Sequence, residues 1–169
     1  NYYYLIEEYL CGESLYARIE RTGSLQTGEL IRLGIELCRI MNYLHSFKPN
    51  PILYLDLHPG NLLICREQLK LIDFDQAALA SLSQERSVCY GTKGFAAPEQ
   101  YEGGTLDERT DIYAIGALLY YMGTGHAPEG EIKAGQGSCR GDLYILMGRC
   151  LRIEKKERCQ SVREVLEAL

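Results

Sequence analysis

Tyr54-Leu55-Asp56-Leu57-His58-Pro59-Gly60-Asn61-Leu62-Leu63-Ile64, followed after a polar connection by Leu69-Lys70-Leu71-Ile72-Asp73-Phe74-Asp75, is the stretch that decides how this chain is read. It sets Asp56, Asn61 and Asp73 at the ends of short apolar runs. Pro59 and Gly60 make a turn after Asp56. Leu62-Leu63-Ile64 and Leu69-Lys70-Leu71-Ile72 read as two short strands, and Arg66-Glu67-Gln68 between them suits a hairpin. The result is one candidate proton acceptor, Asp56, and two candidate magnesium ligands, Asn61 and Asp73. Mg²⁺ is a hard cation that takes oxygen ligands. Phosphoryl transfer asks a protein for little covalent work, mostly positioning and neutralisation of phosphate charge. Asp-x-x-x-x-Asn or Asp-Phe-Asp alone would be ordinary turn residues. Their order beside two strands is what carries the reading.

The segment resembles the catalytic loop and metal-binding loop of the protein-kinase-like superfamily. The protein-kinase pattern is His-Arg-Asp-Leu-Lys-x-x-Asn followed by Asp-Phe-Gly. By that resemblance Asp56 is the implied catalytic base, and Asn61 and Asp73 are the implied ligands of Mg²⁺. This chain departs from the pattern at three places. Leu55 replaces the Arg that receives an activation-loop phosphate in many protein kinases. His58 replaces the Lys that contacts the transferred phosphate; a neutral imidazole donates one hydrogen bond there, and a protonated one adds charge. Asp75 replaces Gly, and Asp tolerates left-handed backbone better than most residues. Asp56-Leu57-His58-Pro59-Gly60-Asn61 is also similar to the loop of aminoglycoside phosphotransferases, where His at this position is compatible with activity.

The downstream half separates the two kinase classes. Gly91-Thr92-Lys93-Gly94-Phe95-Ala96-Ala97-Pro98-Glu99 resembles the end of a protein-kinase activation segment, which closes in Ala-Pro-Glu. Arg109-Thr110-Asp111-Ile112-Tyr113-Ala114-Ile115-Gly116-Ala117-Leu118-Leu119-Tyr120 resembles the central helix of the protein-kinase C-lobe, and its near-continuous apolar character fits burial on most sides. The resemblance implies that Asp111 braces the catalytic-loop backbone and that Arg158 pairs with Glu99. It implies further that Thr92 hydrogen-bonds near Asp56, as in Ser/Thr-type kinases. Tyr54-x-Asp56-Leu57-x-Pro59-x-Asn61 is similar to the bacterial Ser/Thr form.

The chain has 169 residues, which allows one sizeable core, and its net charge of −5 argues against nucleic acid as a partner. Its 7 cysteines form no Cys-x-x-Cys pair, so we expect no disulfide framework and no metal cluster, and a reducing compartment suits them. No apolar run approaches a membrane span, and the expected location is the cytoplasm. The start, Asn1-Tyr2-Tyr3-Tyr4, reads as the interior of a longer protein.

Residues 2–9 read as a strand, with residues 10–15 turning into a short helix. This is similar to the last N-lobe strand, the hinge and the first C-lobe helix, so residues 1–10 are expected to be strand and hinge, and 11–169 the C-lobe. By the same resemblance ATP would meet the hinge at Glu8 and Leu10, with Ser14 near the ribose and Leu63 also in the ATP site. Glu7 falls where an apolar gatekeeper usually stands. Residues 29–45 form an amphipathic helix, with Leu30, Leu33, Leu37, Met41 and Leu44 at helical spacing and Thr27 as its N-cap. His45 reads as a helix-end structural residue. The activation segment, 73–99, carries Ser81, Ser83, Ser87, Cys89, Tyr90 and Thr92. Residues 126–141 read as a loop or minimal helix, 142–151 as a helix, and Ser161-Val162-Arg163-Glu164 as a capping box opening the last helix.

The predicted fold class is therefore α+β, mainly helical: a protein-kinase-like C-terminal lobe with a short β-hairpin and most of the N-lobe absent. No Gly-x-Gly-x-x-Gly loop and no Val-Ala-x-Lys strand occur in the sequence, and protein kinases need the phosphate-covering loop and the Lys–Glu pair. The expected function is an ATP- and Mg²⁺-dependent kinase acting on a protein serine or threonine hydroxyl, with the isolated chain inactive. A pseudokinase module and a small-molecule phosphotransferase are the alternatives. Leu55, Asp75 and Glu7 favour the first of these, and His58-Pro59-Gly60 favours the second.

Overall fold

The computed structural model describes residues 6–83, 91–129, 132 and 141–169. Its elements run β1 (Glu13–Ser14), α1 (Leu15–Thr22), α2 (Thr27–His45), β2 (Ile52–Leu53), β3 (Leu62–Cys65), β4 (Gln68–Leu71), β5 (Ala78–Leu79), α3 (Ala80–Ser83), α4 (Pro98–Glu102), α5 (Glu108–Thr124), α6 (Gly141–Cys150) and α7 (Val162–Ala168). Short 3₁₀ turns sit at Pro59–Asn61 and Lys155–Glu157. The mainly helical α+β class expected from the sequence is what the chain adopts.

Helix α5 is the axis of the core. Thirteen of its seventeen residues, from Thr110 to Gly123, are buried, and α2 and α6 pack against it. A helix apolar all round can only be stable when enclosed. Helix α2 presents the expected stripe: Leu30, Leu33, Leu37, Met41 and Leu44 are all buried in the same cluster as Ile112, Ile115, Leu118 and Leu119 of α5. Truncating one of these leucines to Ala is expected to cost about 2–5 kcal/mol. Gly34 lets α2 approach closely, because a Cβ there would lie 2.8 Å from the Leu119 side chain.

The β-structure is sparse and frames one edge. Antiparallel β3 and β4 form the predicted hairpin, with Leu62 opposite Leu71 and Cys65 opposite Gln68. Its turn, Arg66-Glu67, has φ of 48° and 67°. Two consecutive left-handed residues give a turn whose twist matches the strands it joins. β1 adds to β3, with Ser14 opposite Leu63, and β2 pairs with β5. Gly12 is required beside β3: a Cβ there would meet the Ile64 carbonyl oxygen at 2.7 Å.

Four local expectations are corrected. Residues 6–10 form no strand, and 2–5 lie outside the described residues. Among the described residues no strand lies beside 6–10 to complete a ladder, and Ile6 and Tyr9 are 92% and 90% exposed. Residues 10–15 do not turn straight into a helix; β1 intervenes and Ser14 then caps α1 through its Oγ, which accepts from Ala17 N–H at 3.1 Å. Helix α2 begins two residues early, with Gln26 at the N-cap and Thr27 as the first helical residue. The capping box before α7 is half formed. Ser161 Oγ accepts from Glu164 N–H, but Glu164 accepts from Gln160 N–H and Arg149 instead of reaching back to Ser161. The expected loop at 126–141 is irregular over 126–129 and otherwise lies almost wholly outside the described residues, as do Ser87, Cys89 and Tyr90.

Candidate active site

The hairpin β3–β4 positions two of the three key side chains. Asn61 immediately precedes β3, and Asp73 follows β4 by two residues. The strand register continues one step beyond Leu62 and Leu71, because Ile72 N–H donates to Asn61 O at 3.0 Å. Asn61 and Asp73 therefore leave the same end of the hairpin. Asp56 joins them through the loop: Asn61 Nδ2 donates to Asp56 O at 3.2 Å. That bond uses the amide nitrogen and leaves Oδ1 as the acceptor of a buried side chain. Asp73 has φ of 62°, and its Oδ1 accepts from Asp75 N–H at 3.2 Å. Asp75, where the resemblance expects Gly, thus supplies a backbone donor to the carboxylate.

Tyr54 ties the two loops together. Its hydroxyl lies within hydrogen-bond reach of the Ile72 and Asp73 carbonyls, and its ring meets Phe74 edge-on at 5.3 Å. A phenol has one proton, so the two carbonyls share one donor. Burial is the first cause pushing the Tyr54 hydroxyl's pKa well up, and the Asp56, Asp73 and Asp111 charges add to it. The hydroxyl thus stays protonated and able to donate.

Asp111, at the buried first turn of α5, holds the other side of the loop. Its Oδ2 accepts from Tyr54 N–H and its Oδ1 from Leu55 N–H, each at 2.9 Å. His45 Nε2 lies 2.9 Å from the same Oδ2. These bonds hold Leu55 at φ 67°, a left-handed conformation that costs a leucine roughly 1–2 kcal/mol. The Leu55 side chain is buried against Leu53 and Leu106, so an apolar contact stands where the resemblance expects an Arg. Gln100 completes the frame: its Nε2 donates to Leu55 O at 2.8 Å and its Oε1 accepts from Ala97 N–H at 3.0 Å.

The Asp56 carboxylate faces the segment ahead of Ala97-Pro98-Glu99. Thr92 Oγ1 donates to Asp56 Oδ1 at 2.9 Å. His58 Nε2 stands 3.7 Å from Asp56 Oδ2, while His58 Nδ1 accepts from Gly60 N–H at 3.1 Å. With Nδ1 accepting, Nε2 is the ring nitrogen left to donate toward Asp56 or a ligand. Glu99 and Arg158 meet in a two-pronged ion pair.

The expected nucleotide-contacting residues divide. Ser14 and Leu63 are cross-strand partners beside the hairpin. Glu8 and Glu7 are exposed and Leu10 is half-buried, on a stretch without regular structure. Tyr54, Gln100 and His45 are the site residues that sequence reasoning passed over or treated as structural. The position of Tyr54 two residues before Asp56, and of Gln100 directly after Glu99, was the available signal.

Among the described residues no group of three or more His, Cys, Asp and Glu side chains could hold a metal ion. Asn61 and Asp73 offer one amide oxygen and one carboxylate. That all-oxygen, two-residue set fits Mg²⁺, which keeps several waters and shares phosphate oxygens. No helix of the described residues is long and apolar enough to cross a membrane.

A buried mainly helical body whose central helix pins a catalytic-type loop defines a kinase-like fold. The protein kinase domain model matches residues 1–164, and the chain belongs to that family. It is 26% identical to a probable serine/threonine-protein kinase of Clostridium acetobutylicum over 100% of this chain and 28% of that protein. It is 30% identical to serine/threonine-protein kinase A of Synechocystis over 98% of this chain and 37% of that protein. It is also 32% identical to serine/threonine-protein kinase PknB of Mycobacterium leprae over 74% of this chain and 20% of that protein. The chain therefore spans well under half the length of these relatives.

Proposed function

We propose that this chain is the catalytic-loop portion of a serine/threonine-protein kinase that uses ATP and Mg²⁺ to phosphorylate a protein hydroxyl in the cytoplasm. Asp56 orients the attacking hydroxyl and accepts its proton. Asn61 and Asp73 hold Mg²⁺, which supplies neutralisation of phosphate charge when bound. His58 offers its Nε2–H to the transferred phosphate as a hydrogen-bond donor. Ser14 and Leu63 line the nucleotide side of the hairpin, and Glu8 and Leu10 reach the adenine. Asp111, Glu99 and Arg158 position the loop.

The observation that most supports this reading is the Thr92–Asp56 hydrogen bond of 2.9 Å. It couples the proton acceptor to the segment ending in Ala97-Pro98-Glu99, an arrangement that favours a protein substrate over a small molecule. The three relatives named above, all serine/threonine-protein kinases by name, support the same class.

The test is phosphate transfer from radiolabelled ATP to a generic protein substrate by the complete protein, beside Asp56→Asn and Asp73→Asn. Transfer lost in both variants supports the reading. Nucleotide binding without transfer by the unaltered protein transfers the case to a regulatory pseudokinase. Transfer by the isolated 169 residues overturns the expectation that they are inactive alone, since they contain no glycine-rich phosphate loop.

A further inference from the structure

Three cysteines gather in the buried core behind Arg158. Cys150 ends α6, Cys159 follows Arg158, and Cys38 lies on α2; all three are fully buried. The Cys150 and Cys159 sulfurs are 3.9 Å apart. Neither takes part in the chemistry proposed for Asp56.

The chain between them is already a closed loop. It contains the Lys155–Glu157 turn, and the Arg158 guanidinium donates to Arg152 O at 2.7 Å and Ile153 O at 2.9 Å. Joining the ends therefore asks for no change of backbone course. A disulfide has sulfurs about 2.05 Å apart, so closure needs the two to approach by roughly 1.9 Å, within reach of side-chain rotation. The backbone at Cys150 is held in place: α5 passes so close that a Cβ on Gly116 would lie 2.5 Å from Cys150 Cβ.

The hydrogen bond from Cys150 lowers the Cys159 thiol to about 7 against the opposing effect of burial. The same bond, with burial, pushes Cys150 up. Cys38 goes the other way from Cys159, pushed up to about 12, first by burial and then by the nearness of Cys159. The nucleophile is the thiolate, and Cys159 is the member of the cluster poised to be one.

We propose that Cys150 and Cys159 are a reversible oxidation site that closes to an intramolecular disulfide on reaction with a peroxide. The Cys159 thiolate attacks one oxygen of hydrogen peroxide, the O–O bond breaks, and the departing hydroxide takes up a proton. Cys159 is then a sulfenic acid. The Cys150 sulfur attacks the Cys159 sulfur, the S–O bond breaks, and the hydroxyl leaves as water with the Cys150 proton. In sum, both thiols are oxidised, one peroxide is reduced, and two waters form. The bond ties the end of α6 to the residue beside Arg158, and so to the loop that holds Glu99.

The test is a disulfide map of the folded protein after treatment with hydrogen peroxide, blocking of free thiols under denaturing conditions, and tryptic digestion. Cleavage after Arg149, Arg152, Arg158 and Arg163 puts the two cysteines on separate short peptides, 150–152 and 159–163. The expected result is those peptides joined, a mass lower by two hydrogen atoms, and full recovery of both thiols with dithiothreitol. Both cysteines found alkylated after peroxide overturns the proposal. So does either one joined to Cys11, Cys38, Cys65, Cys89 or Cys139, or Cys159 carried on to the sulfinic acid. In Cys150→Ser, which keeps a hydrogen-bond donor beside Cys159, the Cys159 sulfenic acid should accumulate and be trapped by dimedone; absence of the adduct in the folded variant also overturns it. The map on the unaltered protein decides the matter even where the variant fails to fold.

Discussion

Arg158 and Glu99, 59 residues apart in sequence, meet in a two-pronged ion pair, with Nη1 to Oε1 at 2.7 Å and Nη2 to Oε2 at 2.8 Å. The arginine is wholly buried and the glutamate nearly so. Every remaining donor direction of the guanidinium is used. Nη1 also donates to Arg109 O at 2.9 Å, Nε and Nη2 donate to Arg152 O and Ile153 O, and the plane stacks over Tyr113 at 5.1 Å. Thr110 Oγ1 donates to Glu99 Oε1 at 3.1 Å. One side chain thus joins α4, the start of α5 and the turn after α6.

Removing one partner leaves the other charged, buried and unpaired. Arg158→Ala or Glu99→Ala should each cost about 3–5 kcal/mol in urea unfolding. The double variant should cost clearly less than the sum of the two, because the second substitution removes the stranded charge. Additive costs would show that the pair is not coupled.

Asp56→Asn should lower phosphate transfer by the complete protein about 10²–10⁴-fold, the usual worth of a positioned base. Its thermal midpoint should stay within a few degrees, since an amide oxygen still accepts from Thr92. Asp111→Asn should behave differently. The carboxylate accepts from Tyr54 and Leu55 N–H on its two oxygens, and an amide turns one acceptor into a donor facing a donor. A loss of about 1–3 kcal/mol is expected, with faster hydrogen exchange at Tyr54 and Leu55 as the local readout.

Leu55 supplies a test of backbone strain. Gly ordinarily sits about 0.5–1 kcal/mol below Ala in regular structure. At φ 67° the order should reverse, because Gly adopts that conformation without steric cost. Leu55→Gly and Leu55→Ala both lose the contact with Leu53 and Leu106, so denaturant midpoints compare the backbone term directly. Ala more stable than Gly would count against a left-handed Leu55.

Asp107 should make folding acid-sensitive. Burial alone would raise its pKa, but hydrogen bonds from Arg109 and Lys155 outweigh it and bring the carboxyl from 3.8 to about 2. The unfolded chain therefore takes the proton first. The stabilisation is fully present above about pH 4 and is lost as pH falls toward 2. Asp107→Asn keeps a good helix cap for α5 and should remove on the order of 2 kcal/mol of the stability difference between pH 5 and pH 2. A chemical-denaturation series over that range, compared with the unaltered chain, checks it.

Much of the fold is legible locally. The leucine stripe of α2, the unbroken apolar run of α5 and the β3–β4 hairpin each follow from periodicity and turn chemistry, which act over a few residues. Asp56, Asn61 and Asp73 stand out for the same reason, as polar residues punctuating apolar runs. Local signals misplaced the ends. Thr27 is the better N-cap by residue type, yet the backbone puts Gln26 there without a side-chain cap bond and makes Thr27 the first helical residue. Residues 2–9 are rich enough in aromatic and apolar side chains to suggest a strand, yet a strand needs a neighbour to accept its hydrogen bonds, and residues 6–9 have none among the described residues.

The sequence by itself determined the hydrophobic pattern, the class of fold, and the residue types available for chemistry, because these depend on side-chain identity and short-range spacing. Tertiary structure alone decided that Tyr54 joins Ile72 and Asp73, that His45 Nε2 and Tyr54 N–H meet on one Asp111 oxygen, that His58 Nδ1 accepts from Gly60 N–H, and that Cys150 lies beside Cys159. Each of these depends on burial and on hydrogen bonds between segments distant in the chain or on the turn geometry at His58, and no pattern of neighbouring residues encodes where a packed core will bring such groups together.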